Sequence, residues 1–224
     1  MTASKRSPRK NWVSQNIQSK IKKGILLDIG FVGGDDIPEL HLEIKQRNPQ
    51  LQIFGLDIDK EGIMRRQIPD SLAGDATVLP FLDGTLDAIL CLEVIEHIYQ
   101  PERMFEEIYR TLKNQGTLII TTPSSWAWWN FTRHWLLGST KTRKNYDVFR
   151  SYLGAPSHKR FFDPLSLLNI LYDYGFETIE LTTKNHSIPF LTRFSKRFGI
   201  LDLQFWPMDR LGGYICLIAR KKTH

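Results

Sequence analysis

Short apolar runs alternate with amphipathic stretches along most of this chain. Strands of a parallel sheet that is covered by helices on both faces appear in a sequence as continuous apolar runs of about four to eight residues. By this criterion the sequence predicts strands at 24–29, 51–56, 71–74, 87–92, 116–122, 176–183 and 213–220. The stretches between them predict helices at 36–47, 60–67, 101–112 and 164–173. The pattern is typical of an α/β domain.

Two segments interrupt this alternation. Residues 124–160 and 184–210 are rich in aromatic and basic side chains and show no clear period. Irregular stretches of this length within an ordered domain are often lids or binding loops. We therefore predict a single domain over residues 1–224, in which the two segments are insertions that form a substrate lid. The basic residues at 1–10 predict a disordered tail.

The composition supports an ordered globular protein. Of the 224 residues, 42% are hydrophobic and 12% aromatic, which excludes a disordered chain. Acidic residues interrupt every apolar run well before the roughly 18 residues that a membrane span needs. Both cysteines, Cys91 and Cys216, lie in predicted strands, so we expect buried thiols and not a disulfide. The expected compartment is the cytoplasm.

The net charge of +6 hides an uneven distribution. Residues 24–110 hold 7 basic and 17 acidic side chains, a net charge of −10, and the rest of the chain holds 23 basic and 7 acidic ones, a net charge of +16. An acidic middle suits a cationic ligand, and basic flanks suit an anionic partner. Solvated charge on an ordinary surface is the alternative interpretation.

A glycine cluster follows the first predicted strand, in the segment LLDIGFVGGDD. Glycines between a strand and a helix let the backbone turn tightly and approach a ligand. A dinucleotide fingerprint needs glycines at its first, third and sixth places, but counting from Gly30 these places hold Gly30, Val32 and Asp35. The pattern therefore argues against a nicotinamide site.

The same segment resembles motif I of the class I S-adenosylmethionine-dependent methyltransferases. That motif is an acid followed by glycines at alternate positions, and Asp28, Gly30 and Gly34 match it. Val32 stands where the family usually has its middle glycine, with Gly33 beside it. The resemblance implies that Asp28 and the three glycines shape the methionine end of a cofactor pocket.

Two further motifs follow in the order that this family shows. Asp57 ends the second predicted strand, and the resemblance implies that it binds the cofactor ribose with Ile58 beside it. The segment GDATVLPF implies that Asp75 and Ala76 hold the adenine ring. The family resemblance also implies the fold class: a Rossmann-like, seven-stranded, mostly parallel sheet with an antiparallel last strand and helices on both faces.

The loop after the fourth predicted strand offers groups for chemistry, in the segment CLEVIEH. On a helical turn, Glu93 would share a face with both Glu96 and His97. The Glu-x-x-Glu-His pattern resembles the metal-linked site of ubiquinone-pathway O-methyltransferases and of small-RNA 3′-end methyltransferases, with His158 as the further histidine. Our prediction is catalysis on the acceptor side by Glu93, His97 and His158 without a metal, and a divalent ion such as magnesium or manganese is the alternative.

These observations predict an S-adenosylmethionine-dependent methyltransferase that acts on a small-molecule or lipid acceptor, at oxygen. The basic and aromatic segments suit an anionic acceptor or contact with a membrane surface, and nucleic acid fits less well because no RNA-binding module accompanies the domain. Two other classes stay open. One is a nicotinamide-dependent reductase, and the other is a methyltransferase-like binding protein without activity, which the Val32 departure motivates.

Overall fold

A computed structural model of the chain describes residues 7–33, 37–127, 158–187, 200–201 and 208–223. The main sheet contains seven strands: β1 (Gly24–Ile29), β2 (Leu51–Asp57), β3 (Ser71–Ala73), β4 (Leu86–Leu92), β5 (Leu112–Pro123), β6 (Phe176–Lys184) and β9 (Tyr214–Lys221). A separate pair is formed by β7 (His186–Ser187) and β8 (Ile200–Leu201).

The strand order in the main sheet is β3-β2-β1-β4-β5-β9-β6. The pairs from β3 to β5 are parallel, while β9 lies antiparallel to both β5 and β6. The predicted Rossmann-like sheet with an antiparallel last strand is therefore confirmed. The order reverses between β1 and β4, and ligands of open α/β sheets bind at such a switch point, outside the carboxyl ends of the strands.

Five helices accompany the sheet in the described ranges: α1 (Pro8–Lys20), α2 (Ile37–Arg47), α3 (Lys60–Arg66), α4 (Pro101–Thr111) and α5 (Pro164–Asp173). Side chains of β4 alternate between two core clusters, because successive residues of a strand point to opposite faces. Ile89 and Cys91 pack in the cluster that contains residues of α4 and α5. Leu90 packs in the cluster that contains residues of α1 and α2. Helices therefore cover both faces of the sheet.

The beginning of the chain differs from the sequence-based prediction. Ser7 caps α1, which begins at Pro8, so residues 8–10 are helical and do not belong to a disordered tail. Residues 1–6 lie outside the described ranges. The helix went unrecognised because several of its buried residues are polar, including Arg9, Ser14 and Asn16, so no apolar stripe marks its inner face.

The predicted lid lies mostly outside the described ranges. Of residues 124–160, the structure describes 124–127 and 158–160, and of residues 184–210 it describes 184–187, 200–201 and 208–210. The lid therefore stays a prediction. Cys91 and Cys216 are buried free thiols, as expected. In the described part of the chain, no helix has the length and apolar character required to cross a membrane.

Candidate functional site

A cavity of about 310 Å³ lies at the carboxyl edge of the sheet, around the switch point between β1 and β4. Four successive loops contribute to its wall. The lining residues are Ile29, Gly30 and Gly33 at the end of β1 and after it, Leu56, Asp57 and Ile58 at the end of β2 and after it, Gly74, Asp75 and Ala76 after β3, and Glu93, Val94, His97 and Ile98 after β4. Six of the eight residues that the sequence assigns to the cofactor line this one cavity.

The glycine loop owes its path to Gly30. Its φ is +74°, and a Cβ there would lie 2.3 Å from Cγ2 of Val94, so only glycine fits without a shift. At Gly33 a Cβ would meet nothing within 4 Å, because that side of the residue faces open space in the cavity wall. Gly34 lies outside the described ranges.

Val32, which replaces the family's middle glycine, does not line the cavity within the described chain. Its side chain is buried in a small apolar cluster with Phe31 and Ile68. Its backbone N–H donates to Oδ2 of Asp57 at 2.9 Å. The valine therefore occupies space behind the loop while its amide joins the loop to the end of β2.

Asp57 connects two loops of the site. Besides accepting the Val32 bond on Oδ2, its carboxylate accepts a hydrogen bond on Oδ1 from the backbone N–H of Asp59 at 2.9 Å. The residue is 9% exposed. An ionised carboxylate has about four acceptor sites, so two amide bonds leave lone pairs for ribose hydroxyls.

Asp75 and Ala76 form the wall beyond β3. Oδ1 of Asp75 accepts hydrogen bonds from the amide of Thr77 at 2.8 Å and from its hydroxyl at 2.9 Å. Asp75 is exposed and Ala76 is buried. The Thr77 bonds fix the direction of the carboxylate, which suits hydrogen bonding to a polar ring edge.

Asp28 lies apart from the cavity in the described structure. Its Oδ2 is 2.8 Å from Nδ1 of His41, and both side chains are buried. Oδ1 of Asp28 and Nε2 of His41 are buried without a hydrogen-bond partner among the described residues. The pair joins β1 to α2, and Asp28 is not among the described residues that line the cavity.

The acidic residues after β4, Glu93 and Glu96, have different surroundings. The prediction that Glu93 shares a helical face with Glu96 and His97 is wrong, because the 3-10 turn spans Ile95–His97 and Glu93 precedes it with φ +59°. Its side chain forms an ion pair with Arg9 of α1. Glu93 and His97 line the cavity, whereas Glu96 points into the protein and is 1% exposed.

Glu96 and His97 form a cluster with His158, and the candidate ligand atoms of these three residues all lie within 4.8 Å of one another. Thr122 donates its hydroxyl to Oε2 of Glu96 at 3.0 Å. The Oε1 atom of Glu96 is buried without a hydrogen-bond partner in the described ranges. Burial, together with nearby Glu93, raises the pKa of Glu96 to about 8. One carboxylate and two imidazoles could hold a divalent ion.

Comparison with known proteins identifies the domain. Residues 27–120 match the family model described as "Methyltransferase domain", of type 11. A demethylmenaquinone methyltransferase of Paenarthrobacter aurescens is 33% identical over 134 residues, which are 56% of this chain and 52% of that protein. A probable S-adenosylmethionine-dependent methyltransferase of Mycobacterium tuberculosis is 24% identical over 159 residues, 68% of this chain and 51% of that protein.

Residues 27–120 form a methyltransferase domain of type 11, of the class I S-adenosylmethionine-dependent family. The chain spans about half the length of these two methyltransferase relatives. The match argues against the reductase alternative, in agreement with the failed dinucleotide fingerprint.

Solved structures show how widely this methyltransferase fold is used. A methyltransferase of Thermotoga maritima, titled a possible histamine N-methyltransferase, is 20% identical, with a TM-score of 0.64 over 95% of this chain and 89% of its own. The (4+2)-cyclase SpnF is 19% identical, with a TM-score of 0.61 over 96% of this chain and 81% of its own. At these identities the two structures support the fold alone.

Sequence reasoning missed three polar residues of the candidate site. Arg9 and Thr122 contact Glu93 and Glu96, and the Arg9 guanidinium lies 4.7 Å from the ring centroid of Tyr214. Tyr214 opens β9, and burial, aided by Glu93, raises its pKa to about 12. No local motif marks these residues, because they reach the site from distant elements. Only the strand-end positions of Thr122 and Tyr214 offered a signal.

Proposed function

We propose that this chain transfers the methyl group of S-adenosylmethionine to an oxygen of a phenol-type or quinol-type small molecule or lipid. One observation carries the proposal: a single cavity brings the predicted cofactor residues of three loops together with Glu93 and His97 of the fourth. Cofactor and acceptor groups that share one cavity are what direct transfer between two bound molecules requires.

The residues fit the cofactor by shape and polarity. Gly33 leaves open space in the wall, and the Asp57 carboxylate retains acceptor sites suited to ribose hydroxyls. Asp75 and Ala76 stand on the loop that the family uses for adenine. The cavity volume lies at the lower end of the roughly 300–1,000 Å³ that is typical of small-molecule sites.

Bound S-adenosylmethionine supplies a methyl group activated by a positively charged sulfur. The chain's own contribution is to orient two molecules in line, which is worth up to about 7–11 kcal/mol in favourable intramolecular models. Carboxylates at the wall favour a cation in the cavity. His97, on the acceptor side, is placed to take the proton that an acceptor hydroxyl loses.

The type of acceptor is inferred from the cavity wall and the relatives. Ile29, Val94 and Ile98 give the wall an apolar part against which a ring can pack. The Paenarthrobacter relative is named for methylation of demethylmenaquinone. This name supports a quinone-type ring as the acceptor, whereas the choice of oxygen rests on His97 at the cavity wall, beside which a phenolic hydroxyl of the reduced ring would lose its proton.

Two measurements test the proposal. Calorimetric titration should detect binding of S-adenosylmethionine and of S-adenosylhomocysteine to the chain, and no binding of NADH. Incubation with S-adenosylmethionine and 1,4-naphthohydroquinone should give a product heavier by one methylene, and fragmentation should place the methyl group on oxygen. Methylation at ring carbon would overturn the oxygen assignment. Binding without turnover on this quinol, or on a panel of phenols and lipid extracts, would favour a binding protein.

Asp57→Asn tests the cofactor end of the site. The variant replaces a carboxylate that accepts two backbone hydrogen bonds by a neutral amide. We expect the Kd of S-adenosylhomocysteine to rise by about tenfold or more. Glu61→Gln is the matched control, because Glu61 is an exposed acid at the start of α3. Equal affinities of the two variants would show that Asp57 does not contact the cofactor.

A second candidate is metal-dependent transfer, favoured by the cluster of Glu96, His97 and His158. The unpartnered Oε1 of Glu96 and the two imidazoles would hold the ion, which would polarise an acceptor oxygen. If this holds, Mn²⁺ should bind the purified chain with a Kd that His158→Ala weakens by about tenfold or more. Full activity in the presence of a chelator would exclude it.

A further inference from the structure

Arg9 is a buried cation that contacts the candidate site without lining its cavity. It stands in the first turn of α1, far from the cavity loops in sequence, yet it is 7% exposed. Burying a guanidinium costs several kcal/mol unless partners compensate it. The contacts of Arg9 therefore indicate its role.

Arg9 contacts four residues, which lie in four separate parts of the chain. Its backbone N–H donates to Oδ1 of Asn185 at 3.2 Å, and Nη1 donates to Oγ1 of Thr121 at 3.4 Å. The guanidinium lies over the Tyr214 ring and pairs with the carboxylate of Glu93. Its Nε is buried without a hydrogen-bond partner among the described residues. Of the three side chains that the guanidinium contacts, only Glu93 lines the cavity.

Packing of α1 explains how the arginine gets there. Trp12, Val13 and Ile17 are buried against one face of the sheet. The indole N–H of Trp12 donates to Oε1 of Glu180 on β6 at 2.7 Å. With the helix fixed on the sheet in this way, its first turn stands at the carboxyl edge beside Glu93.

Glu93 needs a partner in this position. Its φ of +59° is unusual for a residue other than glycine, and its N–H donates to the carbonyl of Thr121 at 2.8 Å. A carboxylate that is three-quarters buried needs a compensating partner, and the Arg9 guanidinium provides it. The ion pair holds the carboxylate at the cavity wall, with the cation behind it.

We propose that Arg9 is a positioning residue of the methyl-transfer site: it orients the Glu93 carboxylate toward the bound sulfonium, so that α1 is part of the active site. This rests on the proposed function for its choice of cofactor. The role of Arg9 is indirect, through Glu93, and the two residues should therefore act as one unit.

A double-mutant cycle tests this without an acceptor. Glu93→Gln removes the carboxylate, and Arg9→Met removes the cation that orients it. Each variant should therefore weaken S-adenosylmethionine binding by about tenfold. The double variant should bind no more weakly than either single one. S-adenosylhomocysteine lacks the sulfonium charge, so its Kd should change by less than about threefold. Arg9→Lys keeps the charge and should recover part of the affinity.

Lys20→Met is the matched control, since it removes a cation from the same helix whose pair with Glu180, at 3.7 Å, lies at the surface. It should bind both ligands as the parent does. Additive losses in the cycle, equal losses for both ligands, or tighter binding of S-adenosylmethionine by Arg9→Met would each overturn the positioning role. Failure of the parent chain to bind either ligand would instead overturn the proposed function. Melting curves of every variant identify those that fail to fold.

Discussion

Two residues with left-handed backbones lie in the cavity wall. Gly30 directly follows β1 and Glu93 directly follows β4, so each sets the direction in which the chain leaves its strand. Between them, Val94 fills the space that a side chain at Gly30 would need. Local backbone geometry, and not only side-chain chemistry, therefore shapes the cavity at the residue scale.

Gly30→Ala should lower the free energy of unfolding by about 1–3 kcal/mol and weaken S-adenosylhomocysteine binding. The reason is that Gly30 has a left-handed φ and that the new Cβ would lie 2.3 Å from Cγ2 of Val94. Gly84→Ala is the control, since Gly84 has φ +60° but open space around it. Urea denaturation and calorimetry measure both effects. If the two variants lose stability equally and bind equally well, the Val94 contact has no role.

Glu96 predicts a pH dependence of stability. Its pKa is raised to about 8 in the folded chain, above the ordinary value of 4.5, so the folded state holds a proton that the unfolded state releases. Stability from this group is therefore present below pH 4.5 and is lost as the pH rises to about 8, by on the order of a few kcal/mol.

Glu96→Gln should remove that loss. In chelator-treated buffer, the variant should gain stability relative to the parent between pH 5 and pH 8.5, because a neutral amide has no proton to release. Chemical denaturation at a series of pH values measures this gain. The exposed Glu61→Gln should follow the parent at every pH. A constant difference between parent and Glu96→Gln would contradict the raised pKa.

At the scale of elements, α5 and α1 mark what local sequence can and cannot predict. The sequence predicts a helix at 164–173, and α5 begins there with a full capping box formed by Asp163 and Ser166. Such caps are local, so sequence suffices. In contrast, α1 is held by Trp12 and by buried polar residues whose partners lie on distant strands. Periodicity cannot show a helix whose inner face is partly polar.

Asp163→Ala should destabilise the chain by about 1 kcal/mol, because two amides of the first turn of α5 lose their acceptor. Asp173→Ala, at the other end of the same helix, should cost nothing, since an acid near a helix C-terminus is unfavourable. Thermal melts compare the two variants. Equal destabilisation would show that the cap does not contribute.

At the scale of the whole molecule, the cavity is built from four loops that follow four different strands. The Asp57 bond to Val32 connects two of them, and the Arg9 pair connects the fourth to α1. A ligand that touches all four loops should therefore stabilise the entire domain. It binds the folded state alone, because the unfolded chain has no cavity.

S-adenosylhomocysteine at a hundred times its Kd should add about 2.7 kcal/mol to the free energy of unfolding. For a chain of this size, that corresponds to a rise in Tm of roughly 5–10 °C. Differential scanning fluorimetry with increasing ligand measures the rise, and NADH at the same concentration should produce none. An unchanged Tm would argue against the cavity as the adenosyl site.

The uneven charge takes on a more specific meaning in the folded molecule. The acidic middle of the chain supplies Asp57, Asp75 and Glu93 to one cavity wall. One cation from the basic flank, Arg9, reaches the same wall from behind. The sequence-based expectation of a cationic ligand near the acidic region therefore agrees with the geometry, while the anionic acceptor stays a prediction.

The sequence by itself determined the α/β class, the strand positions, the methyltransferase resemblance and most of the loop residues that line the cavity, because apolar periodicity and glycine-acid motifs are local properties of the chain. The tertiary structure alone decided that Arg9 reaches Glu93 and that Asp28 pairs with His41 outside the cavity. These are contacts between side chains of distant elements. Their formation depends on how helices pack on the sheet, and no spacing along the chain encodes that.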